Sequence, residues 1–361
     1  MMKVLVLGGT GAMGIHLVRI LVEQGHEVFV TSRNRSGCFD NVKFIQGNAH
    51  NLDFLKGLLN QVWDVIVDFM VYSTPEFQQR YSLILDATQQ YFFISSSRVY
   101  AKIDGPINES SPRLLDFTED KNYLNTDEYA LTKARQENLL FESNRRNWTI
   151  IRPYITYDDE RLQLGVLEKE DWLYRALQGR SIVVAKDIQQ KNTTLTSGND
   201  VARSICALIG KEGVLGEAFH ITNDQSISWW QVLEIYKRVL SKHGFEANIV
   251  EQELESFLIW RKSKYQVIYD RLFDRTFNNQ KINQFIDTST FISPQDGLEQ
   301  CLASFLDNKP HSFKPIDWRE EALKDRAVRE FTNFSEISGI KQKIKYQLFK
   351  TLPKVGRLLT R

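Results

Sequence analysis

The chain has 361 residues, of which 42% are hydrophobic and 25% charged, and its formal net charge at pH 7 is +1. This length allows one large core with a second lobe, and the near-neutral charge disfavours a globally basic protein, so we expect no nucleic-acid partner. The three cysteines are far apart, and no run approaches the roughly 18 apolar residues of a membrane span or forms a signal-peptide core. We therefore expect a cytoplasmic protein.

Short apolar runs alternate with helical patterns in the first half of the chain. The first run is followed by glycines, and apolar residues then recur at helical spacing from Ile15 to Val22. Parallel strands need crossover connections, so this alternation predicts an α/β fold with a Rossmann-type doubly wound parallel sheet. The predicted strands cover residues 4–7, 28–30, 42–45, 65–67, 91–94 and 149–151.

The pattern of apolar and polar residues changes after Arg152-Pro153, and the composition changes again near residue 310. We predict a Rossmann domain over residues 1–152. Residues 153–310 are predicted to be a mixed region that returns to the sheet and forms a smaller substrate lobe, with a helix near 228–242. Residues 311–361 are predicted to be a basic helical extension.

A glycine-rich loop lies between the first predicted strand and the first predicted helix. Glycines permit a tight turn and close approach of the backbone to a pyrophosphate, and the helix N-terminus then faces the phosphates. The alternative is a structural glycine turn, which this strand–loop–helix context disfavours. The predicted cofactor-binding residues of the loop are Gly8, Thr10, Gly11, Ala12, Met13 and Gly14.

The end of the second predicted strand has no acidic residue to bind a cofactor ribose. Ser32 stands where that acid would fall, and Arg33 and Arg35 follow it. A missing carboxylate removes repulsion against a 2′-phosphate, and a guanidinium can bind one. We therefore favour NADP(H) over NAD(H), which stays an alternative because both arginines can be solvated loop charges.

Tyr129 and Lys133 form a Tyr-x-x-x-Lys pair, which lies on one face of a helix. A lysine ammonium beside a phenol stabilises the phenolate, so Tyr129 can serve as a general acid or base. Upstream, the fifth predicted strand ends in serines, and ligands of open α/β sheets bind beyond the carboxyl ends of strands. A hydroxyl there can polarise a reacting carbonyl or alcohol.

These motifs together resemble those of the extended short-chain dehydrogenase/reductases, the NAD-dependent epimerase/dehydratase group, over about residues 3–305. The resemblance implies hydride exchange between nicotinamide and a carbon of a nucleotide-linked sugar. It also implies that Ser96 is the catalytic hydroxyl, Tyr129 the proton donor or acceptor, and Lys133 its partner and a ligand of the cofactor ribose. It rests on the glycine loop, residues 95–100 and 106–112, Tyr129, Lys133, Glu137, Arg152-Pro153 and residues 199–202.

Several positions depart from the family pattern. The dehydratase branch of the family is similar in pattern but has Asp-Glu where this chain has Ser97-Arg98. Elimination of water needs an extra acid and base, so this difference disfavours dehydratase activity. Asn48 stands where an aspartate often meets the adenine, and it is predicted to contact the cofactor. NADPH-dependent reduction of a keto-sugar nucleotide is the favoured activity, and epimerisation is the alternative. A further alternative belongs to a different class of function: some relatives with this fold are non-catalytic or bind RNA, and this chain could be one of them.

The second half of the chain carries weaker signals. We predict that the sugar nucleotide contacts Ser97, Tyr154, Lys191 and Arg275, although packing tyrosines and surface ion pairs are common alternatives. The six histidines do not cluster, so no metal is expected.

The last predicted helix is basic and amphipathic. Apolar residues recur from Ile340 to Val355, and residues 340–361 contain no acid. Such a segment can lie on an anionic membrane surface, or it can pack on its own subunit or a partner, and a homodimer stays open. Its basic residues are Lys341, Lys343, Lys345, Lys350, Lys354, Arg357 and Arg361.

Overall fold

The structure is a computed structural model that describes residues 1–354 and 356. Val355, Arg357 and Arg361 of the basic tail lie outside the described residues. The chain divides into two compact units. Unit 1 comprises residues 1–158, 193–226 and 275–297, and unit 2 comprises 159–192, 227–274 and the described part of 298–361. The predicted limits at residues 152 and 310 stay predictions.

The strands begin and end close to the positions that the apolar runs predict, and each of the six predicted strands is present. They are β1 (Lys3–Leu7), β2 (Glu27–Ser32), β3 (Gly37–Phe39), β4 (Val42–Gln46), β5 (Trp63–Asp68), β6 (Thr88–Ile94), β7 (Trp148–Pro153), β8 (Ile155–Tyr157), β9 (Ile182–Ala185), β10 (Asn192–Thr193), β11 (Leu195–Ser197), β12 (Glu217–Ile221), β13 (Ile227–Ser228) and β14 (Ile249–Gln252).

Unit 1 contains an eight-stranded sheet in the order β12-β7-β6-β5-β1-β2-β4-β3. Neighbouring strands are parallel throughout, except that β3 runs antiparallel to β4 at the edge. The predicted doubly wound α/β fold is therefore confirmed. Chain order reverses at β1, which pairs with β2 on one side and β5 on the other. Ligands of such sheets bind at this switch point, beyond the carboxyl ends of the strands.

The helices flank the sheet of unit 1 and form much of unit 2. They are α1 (Gly14–Glu23), α2 (Leu52–Leu58), α3 (Thr74–Gln78), α4 (Tyr81–Asp86), α5 (Leu114–Phe117), α6 (Lys121–Leu124), α7 (Tyr129–Phe141), α8 (Lys169–Leu177), α9 (Lys186–Gln189), α10 (Gly198–Leu208), α11 (Trp229–Lys242), α12 (Leu254–Trp260), α13 (Lys264–Gln266), α14 (Pro294–Asp307), α15 (Trp318–Val328) and α16 (Ile340–Thr351). None of them, over the described residues, has the length and apolar character that a membrane crossing needs.

The sheet is apolar on both faces because helices cover both. Val4 and Val6 of β1 pack into one buried cluster, whereas Leu5 and Leu7 pack into the other. Edge strand β12 is not among the predicted strands. Its His220 is fully buried, its Nε2 lies 3.0 Å from the Asn278 backbone oxygen, and burial lowers its pKa to about 4. His220 is therefore a hydrogen-bonded core histidine.

A buried ion pair ties α7 to the sheet. Glu137 of α7 accepts hydrogen bonds from Arg152 Nε and Nη2 at 2.8 and 2.7 Å, and Ser95 at the end of β6 donates to the same carboxylate at 2.6 Å. Although burial opposes the charge, Glu137 holds the pKa of Arg152 above its ordinary value. These motif residues therefore set the position of the helix that carries Tyr129 and Lys133.

The C-terminal helices pack within unit 2 around a second buried arginine. Arg175 of α8 donates to Glu321 and Asp325 of α15 at 2.7 and 2.8 Å, and to Glu330 at 2.7 Å. A buried guanidinium of this kind requires its carboxylates, because an unpaired buried charge costs several kcal/mol. The acidic side chains of α15 thus point inward.

Candidate functional site

The glycine loop lies at the switch point between β1 and β5. Gly8 has a φ of +71°, and a Cβ at this position would come within 2.9 Å of the Met70 sulfur, so only glycine fits comfortably. Gly11 is exposed and has open space where a Cβ would project. Because these glycines carry no side chain, a dinucleotide pyrophosphate can come close to the backbone of the loop. The residues present therefore fit that group.

Two close backbone contacts hold the loop in place. A Cβ on Gly14 would come within 2.6 Å of the Gly9 carbonyl carbon, so the first turn of α1 can pack on the loop only through glycine. A Cβ on Gly198, the first residue of α10, would come within 2.1 Å of the Ala12 oxygen. The start of α10 therefore supports the loop from the other side, a role that the sequence did not reveal.

The end of β2 forms a turn around Ser32. The Ser32 hydroxyl accepts hydrogen bonds from the backbone N–H groups of Asn34 and Arg35, at 3.3 and 3.2 Å. Arg33 is exposed, and the Arg35 guanidinium lies 5.7 Å from the Phe44 ring centre. Asn48, beyond the end of β4, is exposed and caps a local turn through the His50 N–H. These residues lie beyond the carboxyl ends of adjacent strands.

The predicted catalytic residues come from the end of β6 and the first turns of α7. The Ser96 hydroxyl, nearly buried, accepts a hydrogen bond from the Arg98 N–H at 3.2 Å and begins a short 3₁₀ turn. Tyr129 is the half-buried first residue of α7, and Lys133 Nζ lies 5.9 Å from its ring centre. Lys133 is buried and donates to the Ile94 oxygen at 2.7 Å. The pair thus shares one helix face, as the spacing predicts.

A buried carboxylate, which the sequence reasoning missed, interacts electrostatically with Lys133. Asp68 ends β5 and is 1% exposed; it accepts hydrogen bonds from Met70 N–H and Tyr91 hydroxyl, each at 3.0 Å. In the sheet Asp68 pairs with Phe93, whose ring centre lies 4.6 Å from Lys133 Nζ. A polar residue at a strand's carboxyl end is the signal that could have revealed it.

Burial shifts the titration of both groups toward neutrality. It raises the pKa of Asp68 to about 6, against the opposing effect of its hydrogen bonds and of Lys133. It lowers the pKa of Lys133 to about 8, while Asp68 and Glu137 act to keep the ammonium charged. The two groups are therefore both ionised in the interval between these values.

Arg98 and Glu128 form an ion pair next to Tyr129, which the sequence reasoning also missed. The Arg98 guanidinium carbon lies 5.5 Å from the Tyr129 ring centre, and Arg98 forms an ion pair with Glu128. Glu128 also caps α7 by accepting from the Ala130 N–H at 2.8 Å, and it accepts from the Tyr123 hydroxyl at 3.1 Å. Arg98, noted only as a departure from the dehydratase pattern, is thus a neighbour of the predicted acid–base group.

The four predicted substrate residues lie in different settings. Ser97 is fully buried and donates to the Arg152 backbone oxygen at 2.7 Å. Tyr154 is buried, with its ring 5.3 Å from that of Phe277. Arg275 is buried and donates to the Tyr100 and Ala101 oxygens at 3.2 and 3.4 Å, and burial lowers its pKa.

Lys191 belongs to unit 2, whereas the other predicted site residues belong to unit 1. It is half-buried, and its backbone oxygen accepts a hydrogen bond from the Trp229 N–H at 3.1 Å. Its contact with a substrate stays a prediction, as do those of Ser97, Tyr154 and Arg275.

A protein-family model described as NAD(P)H-binding matches residues 8–212, more than half of the chain. A chloroplast stem-loop binding protein of 41 kDa from Arabidopsis thaliana is 28% identical over 247 residues, covering 63% of this chain and 60% of that protein. A UDP-glucose 4-epimerase from Lactobacillus helveticus is 29% identical over 160 residues, covering 38% of this chain and 46% of that enzyme. The matched segments thus span about half the length of these relatives.

Similarity to solved structures extends over most of the chain. The epimerase Mth375 from Methanothermobacter thermautotrophicus superposes with a TM-score of 0.66 at 17% identity, covering 85% of this chain and 93% of that one. At this level of identity the similarity shows a shared fold. The resemblance to the extended short-chain dehydrogenase/reductases is thus confirmed in the match to an NAD(P)H-binding family model and in the fold.

Proposed function

Because this chain belongs to the NAD(P)H-binding family, we propose that it catalyses hydride exchange between a nicotinamide cofactor and a carbon of a nucleotide-linked sugar. The observation that carries the proposal is the geometry at the carboxyl end of β6, in the same unit as the glycine loop. Ser96 follows this strand, and Lys133, one helical turn from Tyr129, donates to the oxygen of its last residue, Ile94. Similarity in sequence to a UDP-glucose 4-epimerase, and in fold to the epimerase Mth375, supports it.

The roles of the side chains follow from their chemistry. When bound, the nicotinamide supplies or accepts the hydride. Tyr129 transfers the proton to or from the sugar oxygen, and Ser96 holds that oxygen by a hydrogen bond. The cations of Lys133 and Arg98 stabilise the phenolate form of Tyr129. Residues 8–14 would hold the cofactor pyrophosphate at the start of α1.

Within this chemistry we favour NADPH-dependent reduction of a keto-sugar nucleotide. No acid lies in the segment Ser32–Arg35, so the end of β2 carries no carboxylate to repel a 2′-phosphate. Arg33 is exposed there, and a guanidinium is suited to bidentate binding of phosphate. This local charge supports NADP(H) over NAD(H).

Epimerisation with a retained cofactor is the second version of the same chemistry, and the two similar epimerases favour it. Mass spectrometry of nucleotides released from the purified protein distinguishes the two. A stoichiometric amount of released NAD(H) would favour the epimerase. An empty protein that binds added NADPH and then reduces a keto-sugar nucleotide would favour the reductase. A protein that binds neither cofactor would contradict both.

A second candidate function, binding of stem-loop RNA, is favoured by the similarity to the chloroplast stem-loop binding protein. It is tested by titrating a labelled stem-loop RNA and a single strand of the same composition at near-physiological salt. Tight binding that prefers the stem-loop and survives Tyr129→Phe would support it. Weak binding that is lost steeply with salt would indicate non-specific attraction.

A further inference from the structure

Helix α16 has one face packed within unit 2. Tyr346 and Phe349 are fully buried, and the Tyr346 hydroxyl donates to the buried Asp325 of α15 at 2.7 Å. Its backbone is also anchored at the far end, where Arg326 donates to the Lys350 and Thr351 oxygens at 2.8 and 3.0 Å. The helix is therefore a fixed part of unit 2, and its orientation determines which residues face outward.

The opposite face of α16 is an exposed apolar stripe. Ile340 and Ile344 are 76% and 62% exposed, and Leu348 is half-buried beside them. At about 100° per residue these three side chains fall within roughly 80° of arc, opposite Tyr346 and Phe349. Contiguous exposed apolar residues on one helix face indicate a surface that a membrane or another molecule covers.

Lysines flank this stripe on both sides. By the same spacing Lys341 lies beside one edge and Lys343 beside the other. Lys345 is 3.8 Å from Asp317, whereas Lys341 and Lys343 show no ion pair among the described residues. The helix itself contains no acid, and the acids Glu321 and Asp325 of neighbouring α15 are buried.

We propose that the Ile340–Ile344–Leu348 stripe of α16 inserts into the headgroup region of an anionic lipid surface, with Lys341 and Lys343 at the lipid phosphates. An apolar stripe between cations is the pattern of an interfacial helix, whose binding combines apolar burial with attraction to anionic lipid. A protein partner would require acidic groups on both sides of an apolar ridge, whereas a bilayer offers both features along its whole surface. The proposal is independent of the catalytic activity.

The test is co-sedimentation of the full chain with vesicles of phosphatidylcholine alone or with added phosphatidylserine. The native protein should bind the phosphatidylserine vesicles at least tenfold more tightly, and added salt should weaken binding because the charges are screened. Lys341→Gln with Lys343→Gln should weaken binding about 25-fold, from roughly fivefold per lysine. Ile340→Ser with Ile344→Ser should abolish most of it.

Matched variants separate the stripe from general surface properties. Val62→Ser removes an equally exposed apolar residue of unit 1, and Lys56→Gln with Lys211→Gln removes two exposed lysines there. These controls should bind vesicles like the native protein. Point variants are used because deleting α16 would remove the buried Tyr346 and Phe349 and destabilise unit 2.

Three outcomes would overturn the proposal. They are absence of vesicle binding, equal binding to neutral and anionic vesicles, and native oligomers that the isoleucine variants convert to monomers without any vesicle binding. The last outcome would assign the stripe to a second copy of the chain. Cofactor affinity, measured on every variant, should stay unchanged, so failure here leaves the proposed oxidoreductase function unaffected.

Discussion

The guanidinium carbon of Arg98 lies 5.5 Å from the ring centre of Tyr129, and Arg98 is held there by its ion pair with Glu128. Lys133 approaches the same ring one helical turn away, at 5.9 Å. Two cations therefore face the predicted acid–base phenol, where the dehydratase pattern has a carboxylate. Positive charge near a phenol favours its phenolate form.

Replacing Tyr129 by phenylalanine should remove most turnover and leave cofactor binding nearly intact. The loss should be about 10²–10⁴-fold, the contribution of general acid–base catalysis. Steady-state rates and a fluorescence titration of cofactor measure the two effects. Tyr81→Phe, at a half-buried tyrosine of α4, is the matched control and should retain activity. A normal rate for Tyr129→Phe would show that another group transfers the proton.

Replacing Arg98 by glutamine should move the pH dependence of alcohol oxidation upward. Oxidation needs the phenolate, so its rate rises with pH, and loss of a nearby cation makes the phenolate harder to form. We expect the rising limb of kcat/KM to move up by about 0.5–1 pH unit, since the charge is partly exposed and paired.

Arg98→Lys keeps the charge and should retain most of the native profile. A lower rate without any movement of the limb in Arg98→Gln would instead indicate that Arg98 only shapes the turn after Ser96.

Replacing Asp68 by asparagine should move the alkaline limb of the pH–activity profile to lower pH. Burial lowers the pKa of Lys133 to about 8, so the ammonium is lost as pH rises through this value. Asp68, whose own pKa burial raises to about 6, is ionised above that pH and favours the ammonium. Without the Asp68 carboxylate the Lys133 ammonium is lost at lower pH, and the alkaline limb should move about one pH unit lower.

Tyr91→Phe is the control for this experiment. It removes a hydrogen bond to Asp68 but leaves the carboxylate, so the alkaline limb should stay near its native position. Coincident limbs in the native protein and in Asp68→Asn would exclude an electrostatic role for Asp68. Glu137, the other acid that favours the Lys133 ammonium, is unchanged in both variants.

The native protein should bind NADPH more tightly than NADH. An acid at position 32 would repel a 2′-phosphate and accept hydrogen bonds from the ribose of NAD, and Ser32 does neither strongly. A charge-assisted phosphate contact contributes roughly 1.5–3 kcal/mol, so about one to two decades of preference are expected. Ser32→Asp with Arg33→Ala should invert the order in a fluorescence titration.

Arg35→Ala alone is a useful companion variant, because the Arg35 guanidinium lies against Phe44 and is expected to contribute less. Equal native affinities, or a preference for NADH, would mean that Arg33 faces solvent and would favour the epimerase.

Much of the fold could be predicted from local sequence patterns. The alternation of apolar runs with helical spacing predicted the parallel sheet, and the run of glycines predicted the loop before α1, because strand and helix periodicity and the demands of a tight turn are properties of neighbouring residues. Strand β12 was missed since its placement depends on pairing with β7, which no local pattern encodes.

The surroundings of the site were decided by tertiary structure. Sequence predicted that Tyr129 and Lys133 share a helix face, because four residues make one turn. That Asp68 acts electrostatically on Lys133, and that the Arg98 guanidinium lies 5.5 Å from the Tyr129 ring centre, depends on which strand ends become neighbours in the sheet. Burial then determines the charge of these groups. Spatial proximity and desolvation arise only when distant segments pack together, so chain order alone could not supply them.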